Sequence, residues 1–196
     1  ATQHTAFGEG LPPIQALEPF PDYPFYQSCK RDVPGSLTDA VNVALDFTRQ
    51  CMDCDYQVGS VVGQEIFTRE TNPYRFIVWQ DVSKQILPKL HVKSSSFAEV
   101  RLFGNATRDH YLIDTKSLDK ASAERAAQHH RRRSAPAFAV LHSRWTFRAQ
   151  PEQNAVTITL EAGGRTSGIA NLIPKPILRH ELKNVIEESL RFYDRL

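Results

Sequence analysis

The sequence predicts an α+β fold in which a seven-stranded, curved antiparallel sheet grips one long C-terminal helix. Three observations carry this expectation. The runs Phe138–Phe147 and Ala155–Ala162 alternate apolar and polar residues with the period of a half-buried strand. Short connections marked by Asn72-Pro73 and Gly104-Asn105 join neighbouring runs, as antiparallel hairpins require. The segment Ile177–Leu196 sets Leu178, Leu182, Val185, Ile186, Ser189, Tyr193 and Leu196 on one helical face. Charged residues, Glu181 among them, fill the opposite face. Such a helix persists only when its apolar face is laid on a sheet.

Residues 1–24 hold Pro12, Pro13, Pro19, Pro21 and Pro24 between Phe7, Leu11, Ile14, Leu17, Phe20 and Tyr23. Prolines at this density exclude helix and central strand, and the apolar residues suggest an extended arm packed on a domain spanning 25–196. Phe25–Val33 reads as the first strand, stopped by Pro34-Gly35-Ser36. Ser36 is an N-cap with Asp39 three residues on, opening a helix expected over Ser36–Met52. Strands are expected at Val58–Arg69, Tyr74–Val82, Phe97–Gly104 and His110–Lys116, with a loop around Ser83–Ser96. Ser117–Arg133 reads as a helix capped by Ser117 inside a basic insertion, 117–136. Gly163–Gly168 reads as a flexible link before the last helix.

A chain of 196 residues, 41% hydrophobic and 23% charged, buries a core without metal or disulfide. The net charge of +2 implies no general affinity for nucleic acid. No run approaches the ~18 apolar residues of a membrane helix. Residues 1–24 contain neither the basic nor the apolar region of a signal peptide. The odd count of three cysteines favours a reducing, intracellular compartment. Cys51-Met52-Asp53-Cys54 has CxxC spacing, but zinc needs four ligands and no second pair follows, so neither metal nor cofactor is expected.

The element order resembles the START/Bet v 1 superfamily (SRPBCC, helix-grip fold), which includes polyketide cyclases, lipid-transfer domains and coenzyme-Q-binding proteins. The resemblance lies in Cys29-Lys30-Arg31-Asp32-Val33-Pro34-Gly35-Ser36, in His142-Ser143-Arg144-Trp145-Thr146-Phe147 and in the helix Leu178–Leu196. Two features depart from it, the long single helix after the first strand and the basic insertion.

What the resemblance implies is a space between sheet and helix, either filled by side chains or left as a lined cavity of ~300–1,000 Å³. Alternation selects the inward residues: Val100, Leu102, Tyr111, Ile113, Ser143, Trp145, Phe147, Ile158 and Leu160, joined by Leu182, Ile186 and Tyr193 from the helix. His142, Arg144 and Glu161 fall on the outer face, where cross-strand ion pairing accounts for them. His129, His130, Arg131, Arg132 and Arg133 suit a helix C-terminus and offer contact to phosphate, as on an anionic membrane surface. Stacking aromatics are absent from the insertion, which argues against nucleic acid.

The leading functional expectation is binding or transport of a hydrophobic small molecule (a lipid, isoprenoid or polyketide-like compound), with the terminal helix and the Ser83–Ser96 loop as its gate. One alternative is a cyclase-type enzyme using the same cavity, for which Tyr111, Ser143 and Trp145 are the first residues to test and the catalytic set stays unassigned. Another is a non-catalytic interaction domain of a larger assembly. Oligomeric state is not legible.

Overall fold

The computed structural model describes residues 10–51, 56–57, 61–67 and 74–195. In chain order the elements are β1 (Phe25–Pro34), α1 (Leu37–Leu45), β2 (Gln50–Cys51), β3 (Tyr56–Gln57), β4 (Val61–Phe67), β5 (Arg75–Leu87), β6 (Leu90–Gly104), β7 (His110–Ser117), α2 (Lys120–His130), β8 (Phe138–Gln150), β9 (Ala155–Thr166) and α3 (Lys175–Leu190). Seven strands form one sheet in the order β1-β9-β8-β7-β6-β5-β4, every neighbour antiparallel. The strands β4 to β9 make a meander, and β1 closes it by pairing with β9. A separate two-residue parallel pair, β2 with β3, follows α1. The segment around Asn72-Pro73 and residues 52–54 of the Cys51–Cys54 motif lie outside the described residues.

The helix expected over 36–52 is broken. Ser36 caps α1, its hydroxyl accepting from the Asp39 amide at 3.1 Å. The helix stops at Leu45, and Asp46 leaves helical geometry while its carboxylate accepts the Thr48 hydroxyl at 2.7 Å. The chain then turns in a 3-10 segment, Phe47–Arg49. This swings Phe47 against Phe76, with ring centroids 5.8 Å apart. The Gln50 amide donates to the Val43 and Ala44 carbonyls, each at 3.2 Å, satisfying acceptors that the broken helix leaves open.

Other boundaries also move. Ser117 ends β7 and accepts the Leu141 amide, so Asp119 caps α2 instead, accepting from Ser122 N at 2.9 Å. The region 83–96 is not a loop but the body of the β5–β6 hairpin. Nor is Gly163-Gly164 a flexible link, because β9 runs through both residues. A Cβ on Gly164 would sit 2.2 Å from the Val140 carbonyl oxygen, so these strands approach more closely than any side chain allows. We expect Gly164→Ala to cost at least about 2 kcal/mol, read as a lowered urea midpoint.

Both faces of the sheet are covered. On the concave face lie α1 and α3, and the 3-10 turn Arg191–Arg195 after α3 is fastened by Tyr193, whose hydroxyl donates to Ala40 O at 2.7 Å. The convex face is covered in two parts. Residues 10–24 run from the end of β6, where Gly104 N donates to Pro12 O at 3.1 Å, onto this face over β8. Phe20 stacks on His142 at 4.5 Å, and the Tyr23 hydroxyl hydrogen-bonds His142 Nδ1 at 2.8 Å. The insertion covers the β4–β6 part through His130, which stacks on Phe67 at 4.0 Å, and Arg132, which lies over Trp79 at 5.8 Å, while Ala135 pairs with Ser95 alongside β6.

Candidate ligand-binding site

A cavity of about 290 Å³ lies between α3, the broken end of α1 and the concave sheet face. Phe47 and Gln50 reach its wall because α1 ends early. From α3 come Leu178, Leu182, Val185 and Ile186, spaced along one helical face. The sheet supplies Val82, Ile86, Val92, Leu141, Trp145 and Leu160 with the alternation of strands. Trp145 marks the boundary with the solid core: it lines the cavity and packs on Phe147 and Tyr193, ring centroids 6.0 and 6.2 Å away.

Within this mostly apolar wall the polar side chains are Gln50, Gln80, Lys84, Thr115, Ser143, Glu181 and Ser189, of which Gln50, Gln80 and Ser189 donate within the protein, to the Val43 and Ala44 carbonyls, to Gln64 and to the Val185 carbonyl. Thr115 and Ser143 are direct partners across β7 and β8, placing two hydroxyls side by side on the cavity wall. Each hydroxyl can donate and accept. At the solvent edge Lys84 Nζ meets Glu181 Oε2 at 2.7 Å, tying β5 to α3. Glu181, expected on the water-facing side of the helix, is thus turned toward the sheet by the Lys84 ammonium.

Of the twelve residues expected to touch a ligand, Ser143, Trp145, Leu160, Leu182 and Ile186 stand in the cavity wall. Val100, Leu102, Tyr111, Ile113, Phe147, Ile158 and Tyr193 do not. They are buried in the filled core. Alternation assigns a face and says nothing about position along the strand, which separates the filled part of the interior from the open part. Lys84 and Ile86 were missed because β5 was expected to stop at Val82. They continue the inward phase of Phe76, Val78, Gln80 and Val82, so extending the strand by that rule would have found them.

The basic cluster is largely engaged within the chain. His130 stacks on Phe67, and Arg132 pairs with Glu65 at 2.7 Å while lying over Trp79 at 5.8 Å. Arg131 takes the left-handed geometry that ends α2, and the Arg133 carbonyl accepts the Trp79 indole N–H at 3.0 Å. His129, Arg131 and Arg133 remain exposed on the convex side.

His142 and Arg144 lie on the outer face in cross-strand pairing with Asp114, as expected, but the arm seals that cluster from solvent. His142 Nε2 is 2.7 Å and Arg144 Nε 3.0 Å from Asp114 Oδ1, while Arg101 reaches Oδ2 at 3.1 Å. Burial by itself would raise the Asp114 carboxyl, but hydrogen bonds and positive charge from His142 and Arg144 outweigh it and hold the group at about 2. Burial pushes Glu161 and Tyr23 upward.

No family model matches the sequence, and no curated protein matches it. Solved structures do match. Human StarD13 (DLC2) lipid transfer and protein localization domain aligns over 86% of this chain and 75% of its own, with a TM-score of 0.60 at 9% identity. TTHA0849 from Thermus thermophilus aligns over 86% and 96%, with a TM-score of 0.54 at 12% identity. A START superfamily protein from Mycobacterium smegmatis aligns over 85% and 92%, with a TM-score of 0.52 at 12% identity. At such identities the likeness speaks to architecture, and together with the sheet order and the gripped helix it establishes that this chain has the START/Bet v 1-like helix-grip fold.

Proposed function

We propose that this protein binds, and by binding carries, one small hydrophobic molecule bearing a single polar group. The observation that carries the reading is the apolar cavity beneath α3, with its paired Thr115 and Ser143 hydroxyls. An apolar guest gains by leaving water, and two hydroxyls suffice to orient a carbonyl or alcohol. The volume of about 290 Å³ suits a single compact guest, such as a short isoprenoid or fused-ring compound. Among the described lining residues the ionisable ones are Lys84 and Glu181, and they neutralise each other at the solvent edge. That arrangement favours carriage over cyclase chemistry, which needs a proton donor or acceptor beside the guest.

The test is organic extraction of purified protein with mass spectrometry, followed by titration with the uncharged fluorophore phenylnaphthylamine. We expect either a co-purifying apolar compound or saturable uptake of the dye at one site. Finding neither would overturn the reading.

A further inference from the structure

We infer that the end of the molecule around the cavity carries a docking surface for anionic lipid bilayers, built from the turn between β9 and α3 and the tip of the β5–β6 hairpin. The inference rests on the proposed carriage of an apolar guest, because such a guest must come from an apolar phase.

The turn is the 3-10 segment Gly168–Leu172. Its inner residue Ala170 is fully buried, and with Ile173 it packs in one cluster with Phe25, Val92 and Leu178. Those last three line the cavity, so the turn braces the cavity's own wall. Its outer residues do the opposite. Leu172 is 76% exposed and Ile169 58% exposed, the two most exposed large apolar side chains among the described residues. Scattered exposed apolar residues are ordinary. Two on one short turn, braced against an apolar cavity, make a surface that gains by entering an apolar phase.

Charge names the partner. Residues 162–180 contain Arg165, Lys175, Arg179 and His180 without a single Asp or Glu. The hairpin segment 82–98 contains Lys84, Lys89, His91 and Lys93, likewise without an acid. Ile86 and Leu90 at its tip pack against the same cluster as Ala170 and Ile173, which brings these two acid-free segments together. Lys84 is occupied by Glu181, whereas Lys89, Lys175 and Arg179 are exposed. In a chain whose net charge is only +2, this concentration of cations around protruding apolar side chains complements a bilayer of anionic headgroups. A protein partner with an acidic rim is the competing occupant, but the adjoining apolar cavity gives it no role. The cluster 129–133, on the convex face, offers phosphate contacts without neighbouring large apolar side chains exposed among the described residues.

The experiment is sedimentation of the full chain with phosphatidylcholine vesicles, with and without phosphatidylglycerol, alongside phenylnaphthylamine uptake in vesicle-free buffer. The wild type should sediment with the anionic vesicles only. Ile169→Asp with Leu172→Asp should lower partitioning at least about tenfold, from the loss of two inserted side chains, while dye uptake stays unchanged. A second variant, His129→Ala, Arg131→Ala and Arg133→Ala combined, should sediment as the wild type does. The proposal is overturned if the wild type ignores anionic vesicles, if the double Asp variant still sediments, or if the triple variant is the one that loses binding. Absence of dye uptake by the wild type would strike at the cavity reading alone, leaving the vesicle result to decide the docking surface.

Discussion

A Ser143→Phe variant is expected to lose phenylnaphthylamine uptake while staying folded. Ser143 lies on the β8 wall of the cavity, in register with Thr115. A benzyl side chain there would project into the open space of about 290 Å³ and remove one of the paired hydroxyls. Inserting bulk into a close-packed core costs about 1–3 kcal/mol, but here the ring enters vacant volume and covers apolar wall, so the melting temperature should hold or rise. Affinity for the dye should fall at least about tenfold, equivalent to about 1.4 kcal/mol. Val100→Ala provides the contrast. Val100 is fully buried in the filled core, so that change should lower stability and leave uptake intact. Fluorescence titration with thermal melting separates the two, and unchanged dye affinity in Ser143→Phe would contradict the proposed site.

The largest effect on stability is expected at Asp114. Its carboxylate is 2% exposed and holds His142, Arg144 and Arg101 together beneath the N-terminal arm. Asp114→Asn keeps the shape and removes the charge, leaving the Arg144 guanidinium buried without its counter-ion. Breaking a buried pair in this way costs about 3–5 kcal/mol. The same group gives a pH dependence of definite sign. Its carboxyl lies at about 2, below the ordinary value of 3.8. Its contribution is therefore fully present above the ordinary value and is lost as pH falls through about 2. The amount is on the order of 2 kcal/mol. Denaturant midpoints measured between about pH 5 and about pH 2 should fall more steeply in the wild type than in Asp114→Asn. Parallel curves would show that the cluster does not act through this carboxylate.

The sheet was legible because β8 and β9 keep strict alternation over long stretches, and the amphipathic pattern of 178–189 located the gripping helix. What stayed hidden was whatever depends on a cover supplied from elsewhere in the chain. Ser94 and Ser95 look like loop residues, yet both are buried. Ser94 accepts the Ala137 amide at 3.0 Å, and Ser95 donates to Asp81 at 2.8 Å, under a segment that arrives forty residues later by way of α2. For the same reason alternation put His142 and Arg144 on the outer face without showing that they are buried there, since nothing local to β8 announces that Phe20 and Tyr23 will lie over them. The candidate site was half legible. Inward phase identified the residues able to face a cavity, while the height at which packing gives way to open space is set by Trp145, Phe47 and the early end of α1. That end depends on a side-chain contact, Thr48 with Asp46, which propensity over the helix does not reveal.

The pairing of β1 with β9 has a kinetic consequence. The first strand of the sheet finds its hydrogen-bonding partner only in the sheet's last strand, with the meander and the α2 insertion intervening. Closure therefore requires a loop nearly as long as the domain, and its entropy must be met before the registration of Phe25 with Gly164 returns anything. A nascent chain must keep β1 unpaired until β9 has been made, which places this topology among the slow folders, on the millisecond-to-second scale, and makes an unmated leading strand its natural point of misassembly.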